Sequence, residues 1–373
     1  MIGAHPVETV RTGPVRAVAA LAGVALVLAA GQPDALGASR TVTLSGWAAQ
    51  SLALSDERLI VHEAAPVLVD PRRIPGAPAG ASRFVYYRAE AKAAPLTRSR
   101  LLFDGAPETV TSVRTSIGAM RPGVLQAAGG GDFVMAPTAV GLRFPTPVIW
   151  CCTDGVEVVV ESDSRDGAGR AMAAAADHTD RVRMLLIDPA GAASLVGVDP
   201  VGLGENRTGV PVAVATRPGL VAMTATRLVW VDPAAPEVLQ RATVSDAGIG
   251  PVTPVGLPGP AVRVSAGPGT AVAVVRLPGG RYRAVRVDDG AGRARSVWNG
   301  RGVPRVAAGA GTVVIADRRR IVTQRGTGRP RRLATAAGRV TAVAADGTRA
   351  AWLQRGTRRG QRVTVARLVA VPR

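Results

Sequence analysis

Short apolar stretches of five to eight residues alternate with turn-forming dipeptides along most of the chain. The stretches are rich in Val, Leu, Ala and Thr, and Asp-Gly, Pro-Gly, Gly-Gly and Asp-Pro pairs separate them. Apolar residues do not recur at the i, i+3, i+4, i+7 spacing of an amphipathic helix. The pattern therefore predicts an all-β chain whose strands are joined by hairpin turns.

One strand–turn–strand unit recurs along the chain. Its clearest copies are residues 264–274, 306–315 and 343–352, and the seven units begin near residues 51, 124, 171, 212, 262, 304 and 340. Most of the intervals lie close to the roughly 40 to 50 residues that a four-stranded propeller blade occupies. We predict a β-propeller of seven blades, with six or eight blades and a pair of β-sandwich domains as the alternatives.

Small residues mark the first strand of each unit. Ala, Ser and Gly fit beside the central channel of a propeller, where the inner strands crowd together. The last unit supplies three strands, and the isolated strand at residues 41–44 can supply the fourth and so close the ring. In this pattern residues 40–373 resemble the secreted bacterial propellers of the class of the TolB C-terminal domain. The resemblance implies a propeller fold and an extracytoplasmic location.

The N-terminal segment is built like a secretory signal peptide. Arg11 and Arg16 precede an apolar run of 14 residues, 17–30, which is shorter than the roughly 20 residues of a membrane-spanning helix. We expect residues 1–37 to be a signal peptide and residues 38–373 to form a single secreted or extracytoplasmic domain, with an insertion near residues 64–82. Association with the cell envelope and retention of the segment as an anchor are both compatible with this pattern.

Charge is distributed unevenly along the chain. The net charge of +19 is carried almost entirely by arginine, and residues 291–373 contain 19 arginines and two acidic residues. In the usual blade order, the turns between the second and third strands of the last three units open on one face. These turns define a predicted basic face, which attracts phosphate- or carboxylate-rich surfaces. Its residues are Arg281, Arg318, Arg319, Arg320, Arg355, Arg358, Arg359 and Arg362.

The two cysteines of the chain, Cys151 and Cys152, are adjacent. Neighbouring side chains of a strand point to opposite faces, so a disulfide between them would distort the intervening peptide and end the strand. An oxidising compartment favours such a vicinal disulfide. Two free or intermolecular thiols are the alternative.

The sequence offers little support for catalysis or for a bound metal. Outside the presumed signal peptide the only histidines are His62 and His178, and neither has a partner at metal-ligand spacing. No Gly-x-Ser-x-Gly elbow is present. We therefore predict no catalytic residues, no metal and no cofactor.

These observations predict an exported, monomeric propeller that acts as a binding or scaffolding module. Its expected partner is a protein, an anionic cell-envelope polymer or a lipid surface. Nucleic acid is disfavoured because aromatic residues do not interleave with the arginines. The alternative function is an extracytoplasmic hydrolase or lyase with its site at the central channel, and the acids to consider there are Asp56, Asp132, Asp177 and Asp346.

Overall fold

The computed structural model describes residues 39–373 with gaps. The residues outside the description are 1–38, 45–47, 56–57, 70–93, 105–112, 115–123, 130–131, 137–147, 152–155, 160–169, 177–181, 189, 199–208, 359–360 and 373. The predicted signal peptide and most of the predicted insertion fall there, although strand pairing continues as far as Val69. No helix in the described part of the chain has the length and apolar character to span a membrane.

The strands of the described residues form seven antiparallel sheets that follow one another along the chain. Sheet 1 contains β2 (Ala48–Ser55), β3 (Arg58–Val69), β4 (Ala94–Asp104) and β5 (Val113–Arg114). Sheet 2 contains β6 (Val124–Gly129), β7 (Asp132–Ala136), β8 (Val148–Cys151) and β9 (Val156–Val159). Sheet 3 contains β10 (Arg170–Ala176), β11 (Val182–Ile187), β12 (Ala193–Val198) and β13 (Gly209–Val212).

The remaining four sheets are described almost without interruption. Sheet 4 contains β14 (Val221–Thr224), β15 (Arg227–Val231) and β16 (Val238–Ser245), and β16 pairs with both β17 (Gly248–Ile249) and β18 (Thr253–Gly256). Sheet 5 contains β19 (Ala261–Gly267), β20 (Thr270–Leu277), β21 (Arg281–Asp288) and β22 (Arg295–Gly300), with a 3-10 turn at Pro278–Gly280. Sheet 6 contains β23 (Arg305–Gly309), β24 (Thr312–Asp317), β25 (Arg320–Arg325) and β26 (Arg331–Thr335). Sheet 7 contains β27 (Arg339–Ala345), β28 (Arg349–Arg358), β29 (Gln361–Ala370) and β1 (Arg40–Leu44).

The first strands of the sheets contact one another in chain order. β2 contacts β6, β6 contacts β10, and the series continues through β14, β19, β23 and β27, which in turn contacts β2. The N-terminal strand β1 pairs with β29, from Arg40 opposite Leu368 to Leu44 opposite Thr364. The described residues therefore have the predicted all-β propeller architecture.

The predicted start of the fourth unit at Val212 is wrong. Gly209–Val212 is instead the outermost strand of sheet 3, and sheet 4 begins at Val221. The amide of Val214 donates a hydrogen bond to the carbonyl of Val212, which ends the extended strand with a tight turn. Alternating Val and Ala residues follow Val212, and this period of two does not distinguish a first strand from a fourth.

The core lies between the sheets, and strand β20 shows how it is built. Ala271, Ala273 and Val275 pack in a cluster with sheet 4, whereas Val272 and Val274 pack in a cluster with sheet 6. Because alternate side chains of a strand point to opposite faces, a strand buried between two neighbouring sheets must be apolar on both. The continuous apolar sequence of β20 follows from this position.

Glycine allows the inner strands to approach closely, as the small residues of the repeat predict. A Cβ on Gly267 would lie 2.6 Å from the carbonyl oxygen of Ala308. A Cβ on Gly309 would lie 2.6 Å from the amide nitrogen of Gly347 and 2.7 Å from the carbonyl carbon of Ala345. The inner strands of sheets 5, 6 and 7 therefore meet backbone to backbone at these points.

We expect Gly309→Ala to lower the free energy of unfolding by about 2 kcal/mol, because the new methyl group would push sheets 6 and 7 apart. The matched control is Gly256→Ala in β18, where a Cβ meets no atom within 4 Å. The control should change stability by no more than about 0.5 kcal/mol. Urea unfolding of the two variants measures the difference, and equal losses would contradict close packing of the inner strands.

Candidate functional site

Each sheet has two ends with different connections. We call one the linker end, because the turns between second and third strands and the connections between successive sheets lie there. In sheets 5 to 7 the linker end includes residues 278–281, 301–305, 318–320 and 336–339. The turns between first and second strands, such as residues 268–269, lie at the opposite end.

The described residues of the predicted basic face lie at the linker end. Arg281 begins β21, Arg318 and Arg319 form the turn between β24 and β25, and Arg320 begins β25. These four residues and Arg355 of β28 are exposed. Topology thus brings the described members to one end of three consecutive sheets, and their role in binding stays a prediction.

The remaining members of the face are only partly described. Arg358 ends β28, and Arg362 lies opposite Thr357 near the start of β29. The side chains of these two arginines, and the whole of Arg359, lie outside the described residues.

Acidic residues are segregated from this face. From residue 261 onward the sequence has four acidic residues, Asp288, Asp289, Asp317 and Asp346. Three of them lie at the opposite end, and only Asp317, the last residue of β24, lies at the linker end. The positive charge of the last three sheets is therefore least compensated at the linker end.

Arginines near the opposite end connect neighbouring sheets from sheet 3 to sheet 6. Arg183 of sheet 3 donates hydrogen bonds to the carbonyl of Ala225 at 2.9 Å and to the carboxylate of Asp246 at 2.9 Å. Arg241 of sheet 4 donates to the carbonyls of Asp288 at 2.9 Å and Ala291 at 3.0 Å. These arginines use their donors within the fold.

A second arginine of sheet 4 also reaches sheet 5. Arg227 forms an ion pair with Asp289. Burial, and after it the charge of nearby Arg241, lowers the pKa of the Arg227 guanidinium. Asp289 therefore compensates the charge of Arg227 at the boundary between the sheets.

Arg286 makes the corresponding connection from sheet 5 to sheet 6, and it is buried. Its side chain is 4% exposed and its Nε donates to the carboxylate of Asp288 at 2.6 Å. The same guanidinium donates to the carbonyl of Gly311 at 3.1 Å and to the hydroxyl of Thr270 at 3.3 Å. This network is structural, because its charged groups are neutralised and enclosed.

The arginines at the linker end have a different environment. Arg319 donates to the carbonyl of Ala336 at 2.8 Å, but Arg281, Arg318 and Arg320 make no ion pair with another described residue. Arg318 also has a backbone φ of 54°, in the left-handed region that favours glycine. The turn therefore carries an arginine where the backbone alone would favour glycine.

Two inner-strand arginines extend the face toward the central channel. The segments Arg-Val-Ser-Ala-Gly and Arg-Val-Ala-Ala-Gly place Arg263 and Arg305 at matching positions of β19 and β23. Burial, and after it the charge of Arg305, lowers the pKa of Arg263. Ser265, two residues along, accepts a hydrogen bond from the amide of Ala308, so Arg263 faces sheet 6. No described carboxylate pairs with either arginine.

A further inner-strand arginine lies at the start of sheet 7, before the position that matches Arg263 and Arg305. Arg339, the first residue of β27, lies directly opposite Arg355 of β28, and both are exposed. Like charges directly opposite each other on two strands repel unless an anion lies between them. The sequence predictions did not include Arg263, Arg305 and Arg339, although the matching Arg-Val-x-Ala-Gly segments of β19 and β23 were a usable signal for the first two.

Most of the residues considered for catalysis, for a metal or for a disulfide lie outside the residues that the structure describes. Asp346 is described, and its carboxylate accepts hydrogen bonds from the amides of Thr348 and Arg349, so it stabilises its own turn. Asp132 begins β7, Cys151 ends β8, and the geometry of the cysteine pair is untested. The described residues contain no group of three His, Cys, Asp or Glu side chains that could hold a metal ion.

Comparison with known proteins identifies the fold alone. No family model matches the chain, and no curated protein matches it. The structure of U3-55K is similar with a TM-score of 0.55 and 9% identity, over 89% of this chain and 98% of that one. The β-propeller domain of the Trilobed protease from Pyrococcus furiosus, described as having an open velcro topology, has a TM-score of 0.51 and 7% identity, over 83% of this chain and 91% of that one.

A third similar structure is longer than this chain. PorZ, a surface component of the type-IX secretion system of Porphyromonas gingivalis, has a TM-score of 0.48 and 12% identity. The match covers 90% of this chain and 40% of PorZ. The similar structures are β-propeller proteins without a specific link to the TolB class, so that resemblance stays an expectation. The β-propeller domain of a protease is among them, and the likeness does not distinguish a binding module from an enzyme.

Proposed function

We propose that the chain is an exported, non-catalytic β-propeller that binds an anionic partner through the linker end of sheets 5 to 7. The supporting observation is the segregation of charge at the two ends. Arginines near the opposite end are bonded to carboxylates and carbonyls of neighbouring sheets. The exposed arginines of the linker end have one acidic residue, Asp317, among them.

The extent of this surface favours a partner with several negative charges. Arginines that form no ion pair with a described residue lie on three consecutive sheets, from the turns to the inner strands, and so form a broad face. Arginine binds phosphate and carboxylate groups through two parallel hydrogen bonds. A cell-envelope polymer, an anionic lipid surface or an acidic protein would each present such groups repeatedly.

Retention on immobilised polyglutamate and on phosphatidylglycerol vesicles tests this proposal. The test variant replaces Arg318, Arg320, Arg339 and Arg355 of the linker end by Gln. The control replaces Arg293, Arg295, Arg325 and Arg329 by Gln, four exposed arginines nearer the opposite end. Both variants lose four positive charges, so the comparison separates position from net charge.

We expect the linker-end variant to lose about tenfold in retention at roughly 0.1 M salt, and the control to lose far less. Added salt should release the wild type from either matrix because the interaction is electrostatic. Retention on polyglutamate alone would favour an acidic protein as the partner, and retention on vesicles alone would favour lipid. Equal losses in the two variants would reject the linker end as the binding surface.

A further inference from the structure

A cleft lies at the linker end of sheet 5, beside the start of the link to sheet 6. Its volume is about 580 Å³, and it is lined by Gly279, Gly280, Arg281, Gly300 and Arg301. Tyr282, next to Arg281, lies opposite Gly300 on the neighbouring strand, and this register brings the two halves of the lining together. The volume is within the range of small-molecule sites, so the cleft has room for one charged unit of a ligand.

Two of the glycines leave part of this lining without side chains. Gly279 and Gly280 have φ values of 69° and 68°, which glycine adopts without strain. A Cβ on either residue would meet no atom within 4 Å, so the space above this backbone is open. The third glycine differs, because the indole of Trp298 lies over Gly300 and occupies the place of a side chain there.

The charged lining of the cleft is entirely positive. Arg281 and Arg301 are exposed, and neither forms an ion pair or a side-chain hydrogen bond with another described residue. An acidic group lies beside the link between sheets 5 and 6. It is Asp317 of β24, whose carboxylate lies 3.9 Å from the position of a Cβ on Gly302. Asp317 makes no described ion pair with either arginine.

We propose that this cleft binds a single phosphate or carboxylate group between Arg281 and Arg301, above the bare backbone of Gly279 and Gly280. The group would belong to a small anionic molecule or to one unit of the anionic partner. The inference rests on the proposed function in its choice of an anionic ligand, and it assigns one specific site within the linker-end surface. Both arginines line the cleft, and a guanidinium group can hold an oxyanion through two parallel hydrogen bonds.

Calorimetric titration of the full chain with glycerol 3-phosphate, and separately with glycerate, tests the cleft. We expect saturable one-to-one binding of at least one probe, and the stronger probe distinguishes phosphate from carboxylate. The variant Arg281→Gln with Arg301→Gln should weaken binding about tenfold or more. The control variant Arg325→Gln with Arg329→Gln, two exposed arginines nearer the opposite end of sheet 6, should stay within about twofold of the wild type.

Three results would overturn the proposal that the cleft binds an anion. They are no saturable binding of either probe up to about 10 mM, an equal loss of affinity in the control variant, and no loss of affinity in the cleft variant. Thermal unfolding of both variants shows whether they are folded, and all four positions are exposed. The broader binding proposal is judged separately by retention on polyglutamate and vesicles, with variants that keep Arg281 and Arg301. Retention without probe binding would reject the cleft and leave the binding face in place.

Discussion

Replacing Asp288 by Asn should lower the free energy of unfolding by about 3 kcal/mol, because it removes the charged partner of a buried arginine. Arg286 is 4% exposed and Asp288 is 24% exposed, and their side chains are 2.6 Å apart. The arginine also bonds to the carbonyl of Gly311 in sheet 6. Loss of the carboxylate therefore leaves an uncompensated charge at the boundary between sheets 5 and 6. Urea unfolding at constant pH measures the effect.

The double variant Arg286→Met with Asp288→Asn is the control for this interpretation. It removes both charges, so it should be more stable than Asp288→Asn alone by about 1 to 2 kcal/mol. A double variant as unstable as the sum of the two single variants would mean that the two side chains act independently, and it would contradict coupling through the ion pair at this boundary.

The second large effect is expected at Trp352 of β28. Its side chain is fully buried among residues of sheets 6 and 7, including Val314, Ile321 and Val340. Its indole nitrogen donates to the side-chain oxygen of Gln354 at 3.1 Å, and the Arg367 guanidinium carbon lies 5.8 Å from the ring centroid. We expect Trp352→Ala to cost about 4 kcal/mol of stability, because it leaves a large cavity between two sheets.

Trp352→Phe separates packing from hydrogen bonding at this position. It keeps most of the apolar volume and loses the bond to Gln354, so we expect a cost of about 1 to 2 kcal/mol. Comparison of the unfolding midpoints of the two variants measures the difference. A cost for Phe equal to that for Ala would show that the hydrogen bond, not the filled volume, governs this contact.

The repeat pattern predicted the strands well because a two-residue period and glycine turns are local signals. It identified the inner strands β19, β23 and β27 from their small residues, which the close approach at Gly267 and Gly309 explains. It misassigned Val212 because local alternation carries no information about a strand's place within its sheet. That place is decided by pairing, here of Val212 with Ala193.

The candidate site was predictable only where it is formed by turns. Arg318 and Arg320 are neighbours in sequence, so their shared location follows from one hairpin. The cleft could not be predicted in the same way. Arg281 and Arg301 line one cleft because the strand register places Tyr282 opposite Gly300, and this register is not visible in the sequence. The hydrogen bonds of the arginines near the opposite end could not be predicted from the sequence either. Arg286 and Arg241 donate to backbone carbonyls, and no sequence pattern indicates which carbonyls these are.

The pairing of β1 with β29 has a consequence for the order of folding. Thr41 and Arg367, which share a hydrogen bond across these strands, are 326 residues apart in sequence. Contacts of such long range form late, since the chain must first lose the entropy of closing a very large loop. Among the described strands β1 is synthesised first and β29 last, so the edge of β1 that pairs with β29 stays unpaired until β29 has been made. At high concentration, the β1 strand of one molecule could pair with β29 of another, and strand-exchanged dimers are the expected by-product of refolding.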